Sequence, residues 1–372
     1  MFRHNIPIGR VFGITIDLDY SWFLIFGLLA WILAVTYYPS EIPHWSSAAY
    51  WLMGSVTAVM LFVSVLIHEL GHSLVARRYG LAVPRITLFV FGGVSQLATE
   101  PPSAAAEFWI SIVGPAVSFA LAALFRGLEP LFVSAPPLFA LTKYLASLNL
   151  ILGAFNLVPG FPLDGGRVLR AIVWRATGKY DRATSIAGMT GRFFGFLMIF
   201  VGVWQALRGN FVGGLWIAFI GWFLESAAAS QLQLQVMKTL LGDHRVEDAM
   251  ERNFPRVPDD RTVEELVDTQ ILRGGGRYFV VLQSNDPIGL VTLAIVRQIP
   301  RSRWAATTVS QIMIPLHQLA ATSPKAGLWS VVEKMGRDGV NQLAVLEGNQ
   351  LVGVLSREDI VHYLKVSQAL SP

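Results

Sequence analysis

Apolar runs long enough to cross a lipid bilayer constrain the fold of this chain more than any other feature. About 20 apolar residues in a helix span the hydrocarbon layer of a membrane. Six such runs precede residue 230, at 21–38, 51–76, 104–125, 138–157, 186–207 and 211–229. Only 15% of the residues are charged, against about 25% in typical soluble proteins, and they become frequent only after about residue 240. The sequence therefore predicts a polytopic α-helical membrane protein of about six transmembrane helices, followed by a soluble C-terminal module.

Basic residues predict the orientation of these helices and bear on possible partners. Arginines such as Arg77 and Arg78 lie mostly on one side of a six-helix arrangement, whereas the opposite loops hold little beyond Arg126, Lys143 and Arg208. Because positively charged loops remain in the cytoplasm, both termini are expected to be cytoplasmic. The formal net charge of +4 is small and the arginines cluster at helix ends, so no nucleic-acid partner is expected. The chain has no cysteine, which excludes disulfides and thiolate metal ligands.

Two stretches outside these runs have the character of strands. Residues 7–19 alternate loosely between apolar and polar side chains, which predicts a short strand. The stretch 81–100 has too little apolar length to span the membrane, is rich in β-branched residues and contains the pair Gly92–Gly93. A membrane-associated β-hairpin, with its backbone groups paired or facing a wet cavity, fits this composition. An amphipathic surface loop is the alternative.

The second apolar run contains the sequence His68-Glu69-x-x-His72. Residues four apart lie on one face of a helix, so the two histidines can bind one divalent ion, usually zinc. Glu69 is then placed to accept a proton from a water molecule at that ion. Two histidines and a glutamate are energetically costly in hydrocarbon, so a functional role is expected for them. The alternative to a metal site is that they are structural polar residues packed against other helices. His72 is five residues, roughly 8 Å, before Arg77, which predicts a site near the cytoplasmic face.

A third metal ligand is expected because a catalytic zinc normally has three protein ligands. The other histidines have no plausible membrane position, so this ligand is expected to be a carboxylate. Glu107, Asp164 and Glu225 are the main acidic candidates in or beside the apolar runs. Asp164 is favoured because Pro159 and Pro162 break the helix before it, and non-helical backbone is tolerated at membrane depth where it lines a cavity. Capping of the helix that follows is the alternative role for Asp164.

Asn156 lies eight residues before Asp164, at the end of the fourth apolar run. Its amide can donate a hydrogen bond to a polarised peptide carbonyl and stabilise the charge that develops there. It can equally join two helices through a hydrogen bond.

An internal repeat occupies the chain beyond residue 240. Residues 246–250 recur as 309–313, and 278–292 recur as 342–356, with a helical stretch before the paired strands of each unit. Two similar β-α-β units of about 63 residues predict a tandem α/β module. The predicted organisation is a transmembrane domain at 1–235, a linker at 236–243, a first repeat at 244–303 and a second repeat at 304–368.

The metal motifs together resemble those of the site-two protease family of intramembrane metalloproteases. The matching residues are His68-Glu69-x-x-His72 and Asn156-x-x-Pro159-x-x-x-x-Asp164-Gly165, with further agreement at Gly114-Pro115 and at 91–94. The resemblance implies a metalloendopeptidase that binds one zinc ion per chain through His68, His72 and Asp164. It also implies that Glu69 is the general base and that Asn156 contacts the substrate.

The same resemblance implies the kind of substrate and its location. The expected substrate is a membrane-spanning protein, often an anti-sigma or pro-sigma factor in bacteria, cleaved by regulated intramembrane proteolysis in the plasma membrane of a prokaryote. An exposed strand edge can take up an unwound peptide as an additional strand. Gly92, Gly93 and Val94 are therefore the expected substrate-binding residues, with a fixed structural hairpin as the alternative.

The C-terminal repeats resemble paired cystathionine-β-synthase (CBS) domains. The nucleotide-ribose signature of that family is complete at Gly353, Ser356 and Asp359, whereas the first repeat has Thr292 followed by Ile295 in place of the aspartate. The resemblance implies that ATP or AMP binds at one site rather than two, with Ser356, Asp359 and Thr292 as the expected contacts. It also implies a homodimer formed through the CBS domains, and dimerisation without nucleotide is the alternative.

Two other classes of protein are compatible with part of this pattern. A CBS-gated transporter or channel would use the polar residues to bind a permeating ion, but the apolar runs show no inverted repeat. A scaffold without activity would not need Glu69 together with all the proposed ligands. The sequence therefore predicts a zinc-dependent intramembrane endopeptidase with a CBS regulatory module.

Overall fold

The structure, a computed structural model, describes residues 5–90, 92–95, 99–242, 244–348 and 350–370. The chain forms two compact units, Met1–Gln235 and Val236–Pro372. The first unit contains the apolar helices and a small sheet, and the second contains the two repeats.

Helices make up most of the first unit. In chain order they are α1 (Tyr20–Ile32) and α2 (Tyr38–Glu41), joined by the π-helical turn Leu33–Tyr37, then α3 (Ser47–Arg78), α4 (Ala104–Leu128), α5 (Pro136–Asn156), α6 (Asp164–Thr177), α7 (Tyr180–Leu207) and α8 (Phe211–Gly242). Among the described residues, six helical spans are long and apolar enough to cross a membrane; α1 and α2 form one of them, and α6 is not included. The prediction of about six transmembrane helices is confirmed.

Side chains at the ends of α3 and α4 explain where these helices start and stop. The hydroxyl of Ser46 accepts a hydrogen bond from the N–H of Ala49, and Ser103 accepts one from Ala106. Each bond satisfies a backbone donor that the first turn of a helix would otherwise leave unpaired. The last residue of α3 is Arg78, where a positive charge is favourable at the negative end of the helix dipole.

Helix α8 continues beyond the apolar run that predicted it. The run ends at residue 229, yet the helix extends to Gly242, because residues such as Gln231 and Gln233 favour a helix about as much as apolar ones do. Residues 236–242 of the predicted linker are helical, and Asp243 lies outside the described residues.

A four-stranded sheet belongs to the first unit. Its strands are β1 (Asn5–Val11), β2 (Ile14–Asp19), β3 (Arg85–Phe89) and β4 (Gly92–Ser95), in that order, antiparallel except for the parallel pair β2–β3. The single strand predicted over 7–19 is a hairpin, because Phe12 and Gly13 have positive φ angles of 52° and 78° and reverse the chain. The hairpin predicted within 81–100 is present as β3 and β4, while residues 91 and 96–98 lie outside the described residues.

One face of this sheet packs against the helices. The buried apolar residues on β2 and β3 are Ile14, Ile16, Leu18, Ile86 and Leu88. They form one apolar cluster with Leu70 of α3 and Ile110 of α4. Alternate residues of a strand point to the same face, so this pattern fixes the register of the sheet against α3.

The second unit contains two related sheets. Strands β5 (Arg256–Pro258), β6 (Tyr278–Gln283), β7 (Asp286–Thr292) and β8 (Ile314–Pro315) form one sheet in that order, and β9 (Ala321–Thr322), β10 (Gln342–Glu347) and β11 (Gln350–Ser356) form the other in the order β11-β10-β9. The helices are α9 (Val246–Ala249), α10 (Val263–Leu266), α11 (Leu272–Gly274), α12 (Leu293–Val296), α13 (Val309–Ile312), α14 (Leu328–Asp338) and α15 (Arg357–Leu370). The antiparallel pairs β6–β7 and β10–β11 share a register shift, after Val281 and Val345 respectively. This equivalence agrees with the internal repeat in the sequence.

The two repeats are joined by a shared apolar cluster. It includes Tyr278, Val280 and Leu290 of the first repeat and Val354 of the second. Glu251 forms an antiparallel backbone bridge with Val354. The repeats therefore pack as one module.

Candidate metal centre and nucleotide cavity

Two histidines of α3 and the first residue of α6 meet inside the membrane unit. The Oδ2 atom of Asp164 lies 3.2 Å from Nε2 of His68 and 3.1 Å from Nε2 of His72, and the two Nε2 atoms are 3.2 Å apart. The histidines are buried and the aspartate is half-buried. Nitrogen and oxygen ligands at about 2.0–2.1 Å from a tetrahedral zinc ion lie about 3.3 Å from one another. The three donor atoms therefore have the chemistry and the spacing that a zinc ion needs.

Hydrogen bonds to α4 fix both imidazole rings. Nδ1 of His72 donates to the backbone carbonyl of Ile110 at 2.6 Å, and Nδ1 of His68 is 2.9 Å from Oγ of Ser118. A carbonyl can only accept, so in the neutral ring Nε2 of His72 has no proton and can bind a metal. Sequence reasoning missed both partners. A backbone carbonyl has no sequence signature, and Ser118 could have been found only from its place one helical turn after Gly114.

Helix α4 comes close to the two imidazole nitrogens at Gly114. A Cβ atom on this residue would lie 2.1 Å from Nε2 of His72 and 2.7 Å from Nε2 of His68. Any side chain would thus occupy the space beside the donor atoms. The close approach explains why the Gly-Pro pair of the third apolar run begins with a residue that has no side chain.

The other two acidic candidates are paired with arginines. Oε1 of Glu107 accepts hydrogen bonds from Nε of Arg170, at 2.6 Å, and from its Nη2. Oε1 of Glu225 accepts one from Nε of Arg192 at 2.8 Å. Of the three candidates named from the sequence, the structure brings only Asp164 to the histidines.

A tight turn brings Asp164 to this cluster. Helix α5 ends at Asn156 and α6 begins at Asp164. A Cβ atom on Gly165 would lie 2.4 Å from the carbonyl oxygens of the two residues that follow Asn156, so only glycine fits at this place. The N-cap position of α6 is Leu163, which makes no side-chain capping bond, and the carboxylate of Asp164 faces the histidines instead.

Asn156 is half-buried at the end of α5. Among the described residues, its amide has no hydrogen-bond partner. The interhelical hydrogen bond that was one of the two roles considered for this residue is therefore not present in the described part of the chain.

Strand β4 lies beside the glutamate of the motif. A Cβ atom on Gly93 would be 2.5 Å from Cγ of Glu69. Both residues are half-buried, whereas the side chain of Val94 is exposed. Within the described sheet β4 pairs only with β3 and is therefore an edge strand. The segment predicted to bind substrate, which also includes Gly92, thus lies next to Glu69.

A cavity of about 650 Å³ lies between the repeats of the second unit. Arg277 and Tyr278 of the first repeat and Ser356, Glu358 and Asp359 of the second are among the residues that line it. Oδ2 of Asp359 accepts hydrogen bonds from the backbone N–H and the hydroxyl of Ser356, at 2.8 and 2.7 Å, and Arg277 forms an ion pair with Glu358. Burial, together with the nearby carboxylates of Asp359 and Glu251, raises the pKa of the Tyr278 hydroxyl.

Thr292 is paired with the cavity residue Tyr278 across the β6–β7 ladder but has a different role. It is the N-cap residue of α12, where Oγ1 accepts a hydrogen bond from the N–H of Ile295 at 3.4 Å. It is not among the described residues that line the cavity with Ser356 and Asp359.

Comparison with known proteins gives consistent matches over the whole chain. Residues 56–135 and 130–198 match peptidase family M50, and residues 246–299 and 309–366 match the CBS domain. The chain is 36% identical over 375 residues to a protein of Mycobacterium tuberculosis named as the zinc metalloprotease Rip3, covering 100% of this chain and 95% of that protein. It is 34% identical over 370 residues to one of Synechocystis named as the zinc metalloprotease sll0528, covering 99% and 97%.

A solved structure is also similar. The site-2 protease from Methanocaldococcus jannaschii is 31% identical to this chain. The match covers 62% of this chain and 95% of the protease chain, with a TM-score of 0.44.

Six apolar helical spans among the described residues, together with the cluster of two histidines and a carboxylate formed by α3 and α6, are the features of a membrane metalloprotease. The chain belongs to peptidase family M50, and its second unit is a pair of CBS domains. Intramembrane protease activity and a multi-pass membrane location follow from this membership and from the six spans found among the described residues.

Proposed function

We propose that this protein is a zinc-dependent endopeptidase that cleaves a peptide bond within a membrane-spanning segment, with His68, His72 and Asp164 as ligands of one zinc ion per chain. The observation that carries the proposal is the position of the Asp164 carboxylate, within 3.2 Å of Nε2 of both histidines. Two imidazoles and one carboxylate are a ligand set that catalytic zinc sites use. When bound there, zinc acidifies a water molecule and polarises the peptide carbonyl.

Glu69 is the proposed general base. It follows His68 directly in α3 and lies beside β4. A carboxylate in this place accepts the proton of the attacking water and then delivers it to the leaving amine. Asn156, half-buried and with a free amide among the described residues, donates a hydrogen bond to the carbonyl oxygen as its charge develops.

The free edge of β4 is the proposed substrate-binding element. A peptide bond in a helix is shielded by its own backbone hydrogen bonds, so the substrate segment must unwind before cleavage. An unwound segment can pair with an exposed strand edge. Gly93 has no side chain, which allows β4 to lie directly against Glu69, and beside it Gly92 leaves open space and the exposed Val94 offers an apolar contact.

The proposed location is the plasma membrane of a prokaryote, with both termini in the cytoplasm and a membrane-spanning anti-sigma or pro-sigma factor as substrate. The two arginines that end α3, Arg77 and Arg78, support this orientation because positive charges favour the cytoplasmic side. His72 lies close before them in the same helix, so cleavage would occur near the cytoplasmic face.

The CBS pair is proposed to bind ATP or AMP and to form a homodimer. A cavity of about 650 Å³ is large enough for a nucleotide, and Ser356 and Asp359 line it. A nucleotide can change proteolysis only if it binds two arrangements of the enzyme with different affinity. Dimerisation without nucleotide is the alternative function of the module.

The substitution Glu69→Gln tests the proposed activity. It keeps the size of the side chain and all three ligands but cannot accept a proton. We expect the variant to retain one zinc per chain while cleavage falls by about 10²–10⁴-fold or more. Zinc content is measured by plasma mass spectrometry, and cleavage of transmembrane peptides in vesicles by mass spectrometry. Substantial cleavage by this variant would show that Glu69 is not the base.

A further inference from the structure

One arginine of α6 contacts three other parts of the membrane unit. Nε and Nη2 of Arg170 both donate to Oε1 of Glu107, in the first turn of α4, with Nε at 2.6 Å. The guanidinium also lies over two aromatic rings, 4.9 Å from the centroid of Phe161 and 4.8 Å from that of Tyr180. Phe161 is in the turn before α6, and Tyr180 is the first residue of α7. The arginine thus connects the helix that begins with Asp164 to α4, to α7 and to the turn that precedes it.

This ion pair is enclosed by the protein. The side chain of Glu107 has no exposed surface, and that of Arg170 is 13% exposed. The second oxygen of Glu107 is buried without a hydrogen-bond partner among the described residues. Removing two charges from water has a cost that their attraction does not always offset, so a buried pair is weak evidence of added stability. The two hydrogen bonds that the planar guanidinium group donates do fix the distance and the direction between the two helices.

Helix α4 also fixes the two histidines, through the carbonyl of Ile110 and the hydroxyl of Ser118. Ile110 is three residues after Glu107 on that helix, about one turn. The ion pair connects the same helix to α6, whose first residue is Asp164. All three proposed ligands are therefore located relative to one helix.

We propose that Glu107 and Arg170 are positioning residues, which hold the carboxylate of Asp164 against His68 and His72 so that a metal ion meets three ligands already in place. This inference rests on the proposed ligand set. An ion pair that only stabilised the fold would leave metal binding unchanged. A positioning pair changes metal binding when it is altered, and it does so through Asp164.

Two variants of the full-length protein test the pair. Glu107→Gln removes the negative charge at nearly constant size, and Arg170→Lys keeps the positive charge but lacks the planar fork that donates twice and stacks on rings. Zinc affinity is measured by competition with a chelator, and ligand geometry by the visible absorption of the cobalt-substituted protein. Loss of a residue that orients a metal ligand typically weakens metal binding by about 10- to 100-fold, and we expect both variants in this range. Their cobalt spectra should shift toward that of Asp164→Asn.

A matched control is available in the same unit. Glu225 forms an ion pair with Arg192 at 2.8 Å, between α8 and α7, and does not belong to the metal cluster. We expect Glu225→Gln to leave zinc affinity and the cobalt spectrum unchanged. Thermal unfolding of each metal-free variant reports whether it is folded. If Glu107→Gln is not folded, the zinc affinity and the cobalt spectrum of the milder variant Arg170→Lys test the proposal.

A double substitution separates action through Asp164 from a general effect. If the pair only positions this carboxylate, adding Glu107→Gln to Asp164→Asn causes no further loss of zinc affinity. Additive losses, or wild-type affinity and spectra in both single variants of the pair, would overturn the inference. If Asp164→Asn instead binds zinc like the wild type, the proposed ligand set itself is contradicted.

Discussion

Gly114 determines how closely α4 approaches the two imidazole nitrogens. A Cβ atom there would lie 2.1 Å from Nε2 of His72, far closer than two such atoms can approach. We therefore expect Gly114→Ala to keep its helix, since alanine favours helical structure, but to lose most of its bound zinc. The zinc-to-protein ratio measured by plasma mass spectrometry tests this expectation.

Gly127 provides the control on the same helix. A Cβ atom on Gly127 would have no heavy atom within 4 Å, so Gly127→Ala makes the same chemical change away from the cluster. This variant should retain full zinc. The placement of α4 against the histidines would be contradicted if Gly114→Ala also kept full zinc and cleaved normally.

The side chains of the metal site differ in how far they could be predicted. His68 and His72 follow from helical spacing, because residues four apart share a face, and Glu69 follows His68 directly in the motif. Asp164 required a choice among three carboxylates, and the arginine partners of the other two appear only when the helices are packed together. The hydroxyl of Ser118, on a different helix from the histidine it contacts, depends on tertiary packing in the same way.

Among the strands and helices, β4 carries the proposal about substrate. If substrate pairs through its backbone, the change that matters at Val94 is the loss of the N–H, not of the side chain. We expect Val94→Pro to reduce turnover by about 10-fold or more, since each lost hydrogen bond and the altered strand weaken pairing next to Glu69. Zinc content should be unchanged.

Val94→Ala is the matched comparison, because it removes the side chain and keeps the backbone donor. Near-normal cleavage by the alanine variant together with impaired cleavage by the proline variant would support backbone pairing. Equal kinetics for the proline variant and the wild type would show that the hairpin is a fixed structural element.

The elements were predictable where one local property decides them. Long apolar runs identify the six helical spans found among the described residues. The ends of the helices do not follow from apolar runs alone. The helix α8 extends past its apolar run to Gly242, because polar residues can continue a helix. The stretch 7–19 became two strands through the positive φ angles of Phe12 and Gly13, which alternation of side chains does not reveal.

For the chain as a whole, the CBS pair carries the proposal about regulation. Asp359 holds the hydroxyl and N–H of Ser356 at the wall of the cavity, and its carboxylate can accept from ribose hydroxyls. We expect Asp359→Ala to weaken ATP or AMP binding by about 10- to 100-fold, because hydrogen bonds to a charged group contribute about 1.5–3 kcal/mol. Titration calorimetry measures the binding, and cleavage is then repeated at saturating nucleotide.

Thr292→Ala is the corresponding control, because this residue caps α12 and does not line the cavity among the described residues. It should bind nucleotide like the wild type. No binding by the wild type, or binding that leaves the cleavage rate unchanged, would remove the regulatory proposal. A dimer detected by light scattering under those conditions would leave dimerisation as the function of the module.

The division of the chain into membrane helices and a repeated α/β module could be predicted because charge and hydropathy change sharply near residue 240. The repeats were visible because short segments recur in the same order. The different positions of Thr292 and Ser356 relative to the cavity could not be predicted, since they depend on how the repeats pack.

The ligand set of the metal site is tested most directly by X-ray absorption at the zinc edge, with wild type and Asp164→Asn compared at the same metal loading. For the wild type we expect one zinc per chain, bound by two imidazoles and one carboxylate oxygen at about 2.0–2.1 Å. For Asp164→Asn we expect the carboxylate contribution to disappear and most of the zinc to be lost on dialysis. An unchanged absorption spectrum and full zinc in the variant would contradict the assignment of Asp164 as the third ligand.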